Sequence, residues 1–225
     1  MSSEPGGALA VEARGLSVRG PRGWVFRDVD LKVPASGLAA VAGVAGSGRT
    51  SLLLTLGGRM KPTSGAVLLG GRRCGPGDLR RRTALGVVPG VNELDPALTV
   101  REHVSEALDL REGVLGRWRG RRARIRRALE RVGLDVDPRT LVSDLTPEDA
   151  RLLGAALALV GEPGLLLMDD VDEGLPPERQ RELWRRLRAI ADAGVTVVAA
   201  CHDAAPADGL AQVVPLPESR EEALR

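Results

Sequence analysis

Tyrosine is absent from this 225-residue chain, phenylalanine occurs once and tryptophan three times. A stacking surface for nucleic-acid bases therefore has little to be built from. Lysine is nearly as scarce. Lys32 and Lys61 are the only two, so almost all positive charge is arginine, a compositional bias that weakens the meaning of any single Arg. The 32 Lys+Arg against 30 Asp+Glu leave a net charge of only +2, which does not favour a polyanion partner. Cys74 and Cys201 stand far apart, in neither metal-ligand nor redox spacing, as expected of inert thiols in a reducing compartment. Long hydrophobic runs are missing too. The stretches at Leu152 to Val160 and Leu165 to Met168 are interrupted by Gly161, Glu162, Pro163 and Gly164, short of the ~20 residues a membrane-crossing helix needs. The opening MSSEPGGALA lacks a basic region followed by an apolar one, so no secretion signal is expected.

What is present reads as α/β. Leu9 to Val18 and Val25 to Val33 alternate apolar and polar residues around a Gly/Pro turn at Gly20 to Gly23, as half-buried strands do. Leu38 to Val41 reads as a buried strand, Gly43 to Gly48 as a glycine-rich turn and Thr50 to Leu56 as a helix. Further strands are expected at Ala66 to Leu69 and Leu85 to Val88. Helical spacing then takes over at Val100 to Leu110, Arg121 to Val132 and Pro147 to Val160, with Ile125, Leu129 and Val132 forming one stripe. Strands return at Leu165 to Met168, Val195 to Ala200 and Gln212 to Leu216, with a helix from Pro177 to Ala193 between the first two. Buried runs alternating with helices imply parallel strands joined by crossovers.

The sharpest motif is Gly43-Val44-Ala45-Gly46-Ser47-Gly48-Arg49-Thr50, a strand–loop–helix phosphate loop except that Arg49 stands where that pattern has lysine. Its glycines let backbone amides turn toward phosphate oxygens at a helix N-terminus, and the Thr50 hydroxyl suits Mg2+. Arg49 keeps the charge but brings a planar fork in place of a point charge. A glycine-rich turn without ligand is the plain alternative.

Order and spacing from Leu9 to about Leu216 resemble the ATPase subunit of ATP-binding-cassette (ABC) transporters. Leu165-Leu166-Leu167-Met168-Asp169-Asp170 resembles that family's acidic strand, and Val195 to Ala200 followed by Cys201 and His202 its last core strand and switch histidine. Val100-Arg101-Glu102-His103 resembles the start of the helical subdomain, and Glu162-Pro163 the turn before the acidic strand. The resemblance implies a P-loop core, an N-terminal antiparallel β subdomain and a helical subdomain inserted at about residues 93–162 of one domain spanning 1–225. It further implies ATP and Mg2+ as cofactors, with Gly43, Gly46, Ser47, Gly48, Arg49, Thr50 and Ser51 around the phosphates. Thr50 and Asp169 would hold the metal, Asp170 the attacking water and His202 the terminal phosphate. Trp24 is either the base-stacking aromatic or a core residue.

Several positions depart from the family. Leu145-Thr146-Pro147-Glu148-Asp149 replaces its L-S-G-G-Q signature. Thr146, Pro147 and Asp149 make a good helix start, while Pro147 offers no amide hydrogen and Glu148 and Asp149 put negative charge where phosphate should dock. Gly90 stands in place of a metal-linking glutamine, Pro176 in place of a dimer-facing aspartate, and Asp170 is one methylene shorter than the family's glutamate. The implied function is an ATP-binding subunit beneath a separate membrane-spanning partner, at the inner face of the cell membrane, paired with itself or another ABC ATPase. A noncatalytic regulatory or structural subunit is the alternative. A chromosome or repair ATPase is disfavoured because no long coiled-coil insertion is present. The basic run Trp118 to Arg127 reads as a charged helix approach, with direct nucleic-acid contact not expected.

Overall fold

The computed structural model describes residues 7–88, 90–112 and 120–217. Two sheets carry it. The first is antiparallel, ordered β2-β1-β4-β5, from β1 (Val11–Gly20), β2 (Gly23–Val33), β4 (Ser64–Leu69) and the short β5 (Arg72–Arg73). The second is parallel, ordered β6-β7-β8-β3-β9, from β6 (Thr83–Leu85), β7 (Leu165–Met168), β8 (Thr196–Cys201), β3 (Leu38–Ala42) and β9 (Gln212–Pro215).

The inner strands of the parallel sheet are buried on both faces, and their two-residue alternation divides the hydrophobic core. Ala39, Val41, Leu165, Leu167, Val198 and Ala200 face α1 (Arg49–Leu56) and the antiparallel sheet, packing with Leu52, Leu53, Leu56 and Phe26. Their alternates Leu38, Ala40, Leu166, Met168, Val197 and Ala199 pack with α5 (Pro147–Leu159) and α6 (Pro177–Asp192) through Leu153, Ala156, Trp184 and Leu187. The same cluster takes in Val104 and Leu108 of α3 (Val100–Glu112) and the Ile125, Leu129 and Val132 stripe of α4 (Arg121–Val132), which is buried as its spacing predicts.

These helices arrive between two strands that are neighbours in space. β6 pairs with β7, Thr83 opposite Leu165 and Leu85 opposite Leu167, so the chain leaves the sheet after Leu85 and re-enters beside it. The expected strand Leu85 to Val88 is therefore shifted: pairing with β7 ends at Leu85, and beyond it Asn92 Oδ1 accepts from the Val88 N–H at 2.9 Å while Asn92 Nδ2 donates to the Gly86 carbonyl at 2.8 Å. α2 (Pro76–Arg82) was not expected, because it buries only Leu79 and opens on a Gly-Pro-Gly sequence that reads as a turn. Of the basic run, residues 118 and 119 lie outside the described residues. Arg121 is no free charge: it makes a fork to Asp109 at 2.8 and 2.9 Å and donates to the Ser105 carbonyl, tying α4 to α3.

Candidate active site

The carboxyl ends of β3, β8 and β7 lie side by side, so whatever follows each strand meets the others. After β3 comes the glycine loop, after β7 the pair Asp169-Asp170, and after β8 His202. Open parallel sheets bind ligands at this end. Gly48 sets the entry to α1 with φ 90°, a left-handed value that favours glycine, and a Cβ there would stand 2.6 Å from the Val25 carbonyl of β2. The loop is thereby seated on the antiparallel sheet. At its other end a Cβ on Gly43 would strike Ser47 Oγ at 2.5 Å, while the Gly43 N–H donates to the Cys201 carbonyl at 3.2 Å.

Arg49, the first residue of α1, reaches across to the loop after β7. Its Nη2 lies 2.9 Å from Asp170 Oδ1, with the two side chains only 12% and 29% exposed. Arg49, Ala45, Asp170, Asp172, His202 and Asp203 line a cleft of 840 Å³. Asp170 also borders a second hollow of 250 Å³ shared with Asp169, Val87 and Arg151.

Three buried polar atoms in this region have no protein partner: Ser47 Oγ, Arg49 Nη1 and Asp169 Oδ2. Unpartnered buried groups are costly unless something else satisfies them, so the set suits a ligand rich in oxygen and metal. Burial pushes the Asp169 carboxyl above its usual range, more strongly than the nearby Thr50 hydroxyl lowers it. No group of three His, Cys, Asp or Glu among the described residues could hold a metal ion by itself. Thr50 and Asp169 fit Mg2+ only as partners of phosphate oxygens, the usual way that ion is held.

A second arginine, which the sequence reading missed, organises the acidic loop. Arg151 of α5 donates through Nε and Nη2 to the Asp170 carbonyl, both at 3.2 Å, through Nη1 to the Pro147 carbonyl at 2.9 Å, and to the Glu173 carbonyl. Asp170 itself has φ 38°, unusual for a residue with a side chain. Asp172 Oδ2 then accepts the amides of His202 at 2.7 Å and Asp203 at 3.0 Å, joining the β7 and β8 loops. Only the local run of arginine, acid and glycine signals these contacts in sequence, and the partners are too distant to be paired from it. Cys201 is inert as expected, its thiol pushed up to about 12 chiefly by burial.

Two expectations are corrected. Glu148 does not present its charge at an open face: it is 8% exposed, pairs with Arg179 of α6 at 3.5 Å, and burial raises its carboxyl above the usual range. The Thr146 hydroxyl is also committed, accepting the Asp149 N–H at 3.1 Å and donating to Asp149 Oδ2 at 2.7 Å. Trp24 is half-buried rather than a core residue, with the Arg19 and Arg27 guanidinium groups 5.6 and 5.3 Å from its ring centre. It does not line the cleft, although the neighbouring Val25 carbonyl touches the loop. Ser51 is half-buried on α1, and its carbonyl accepts from Thr55.

A family model described as ABC transporter matches residues 26–172, the span holding the loop, α1 to α5 and the paired acids. The chain belongs to the ABC transporter family. It is similar to Nod factor export ATP-binding protein I of Cupriavidus metallidurans, 31% identical over 79% of this chain and 58% of that protein. It is also similar to the lipoprotein-releasing system ATP-binding protein LolD of Syntrophotalea carbinolica, 32% identical over 87% of this chain and 88% of that one. Among solved structures, CbiO1 of Clostridium perfringens, part of the cbiONQ ABC transporter complex, superposes with a TM-score of 0.73 at 23% identity, covering 89% of this chain and 80% of that chain. A dimeric ATP-binding cassette bound to ADP and phosphate superposes at 0.71, with 23% identity over 96% of this chain and 99% of that one. The fold of this cassette is thus that of ABC ATPase domains.

Proposed function

We propose that this cassette is the ATP-binding subunit of an ABC transporter, acting at the inner face of the cell membrane on a separate membrane-spanning subunit and paired with itself or another ABC ATPase. No helix among the described residues is long and apolar enough to cross a membrane. The observation that carries the reading is the meeting of loop, acids and histidine at one sheet end, with Ser47, Arg49 and Asp169 each holding a buried polar atom in want of a partner. In this reading the loop amides and Arg49 bind the phosphates, Thr50 and Asp169 hold Mg2+, and His202 lies near the terminal phosphate. The ion supplies charge neutralisation between phosphate oxygens.

In this reading hydrolysis by this chain is disfavoured. Asp170, at the water-orienting position, is taken up by Arg49, so its carboxylate is held by an ion pair and not left free to orient a water. The replaced segment Leu145 to Asp149, with its hydroxyl and both carboxylates already engaged, favours an asymmetric pair in which the partner cassette does most of the turnover. Calorimetry with Mg-ADP and Mg-ATP tests the binding half. Binding by the intact chain that disappears in Arg49→Glu supports it, and no binding of either nucleotide, alone or with its partner, rejects it. If the isolated chain forms an ATP-dependent homodimer with turnover typical of intact cassettes, the asymmetric reading fails.

A further inference from the structure

Arg49 holds two separable positions on one planar group. Its Nη2 is engaged by Asp170 at 2.9 Å, while its Nη1 is buried without a partner. Asp170 is poorly placed to give way. Its carbonyl accepts Arg151 twice at 3.2 Å and the Glu173 amide at 3.2 Å, so the carboxylate is presented to Arg49 from a clamped backbone. The pair therefore bridges the cleft from the loop wall to the acidic wall.

A phosphate chain laid on the loop amides meets this bridge at its far end. The last phosphate of a diphosphate is held by the loop amides and leaves the ion pair closed. A third phosphate extends the chain toward Asp170. It must take Nη2 from a partly desolvated carboxylate or lie against that carboxylate with like charge, and both are unfavourable.

We propose that the Arg49–Asp170 ion pair makes this cassette discriminate nucleotides by phosphate-chain length, holding a nucleoside diphosphate in preference to a triphosphate while the pair is closed. The proposal rests on the nucleotide-binding reading above. It also gives Asp170 a role in specificity separate from any handling of water.

The test is equilibrium binding of Mg-ADP and of the Mg-bound β,γ-imido triphosphate analogue to the full chain, to Asp170→Asn, to Arg49→Lys and to the double variant. Circular dichroism confirms that each is folded. The wild type is expected to favour ADP by ~10-fold, of the order of one partly buried charge contact. Asp170→Asn should bring the two ligands within ~3-fold, mainly by tightening the triphosphate analogue, the expected gain when a like charge is removed. Arg49→Lys, too short to keep the bridge, should shift the ratio the same way, and the double variant should add little to either single change. Equal wild-type affinities, an equal effect of Asp170→Asn on both ligands, or fully additive single changes overturn the proposal. ADP binding without preference overturns this inference alone, whereas failure of every variant to bind either ligand overturns the nucleotide reading beneath it.

Discussion

Gly48 shows how much a single residue settles in the loop. Its φ of 90° and the 2.6 Å approach of the Val25 carbonyl leave no room for a side chain, and the obstacle is backbone, which cannot rotate away. Gly48→Ala is therefore expected to cost about 1–3 kcal/mol in a urea unfolding midpoint. Gly46 has a similar φ of 82° but nothing near its Cβ position, so Gly46→Ala should cost only the conformational part, about 1 kcal/mol. A larger loss at 46 than at 48 would show that the loop is not seated on β2 as described.

At the scale of elements, the N-terminus of α5 joins three parts of the molecule. Thr146 caps it, Glu148 turns to Arg179 on α6, and Arg151 holds the carbonyls of Asp170 and Glu173. Arg151→Met keeps the side-chain bulk but leaves those carbonyls without their donor. A loss of about 1–3 kcal/mol is expected, with faster amide hydrogen exchange at residues 172–175 than elsewhere in the sheet. Glu148 allows a pH test with a definite sign. Its carboxyl is raised in the folded chain, mainly by burial, so the native state holds its proton more tightly than the unfolded state does. Stability from this group is then present at low pH and is lost as pH rises from the ordinary glutamate value of 4.5 through the higher folded one. Urea midpoints for Glu148→Gln should decline less over that interval than those of the wild type. An identical decline would place the pH dependence elsewhere.

For the whole molecule, α1 and the antiparallel sheet meet through one buried cluster, and the acidic loop, α5, α6 and the inserted helices through the other, on opposite faces of the same parallel sheet. A ligand bound at the sheet end thus contacts elements anchored on both faces and should stabilise the domain as a unit. Mg-ADP at 100 times its dissociation constant is expected to raise Tm by about 5–10 °C. Arg49→Glu should show no such shift. A shift retained in that variant would place the nucleotide somewhere other than the loop.

Much of the architecture was legible because burial writes itself into periodicity. The two-residue alternation of β1 and β2, the buried runs of β3, β7 and β8, and the Ile125, Leu129 and Val132 stripe all reflect which side faces the core. The phosphate loop was legible for a different reason: consecutive residues make it, so its spacing is its geometry. α2 was missed because a helix burying only Leu79 leaves no stripe, and β6 was displaced because apolar residues continue past Leu85, where its pairing with β7 ends. What no local pattern could show was which distant charges meet. Arg49 with Asp170, Glu148 with Arg179, and Arg151 with the carbonyls of the acidic loop are brought together only by strand order and helix packing. The sequence by itself determined that a glycine loop and two acids follow buried strands. Tertiary structure decided that the arginine of that loop is bound to one of those acids, because β3 and β7 end on the same edge of one parallel sheet with only β8 between them.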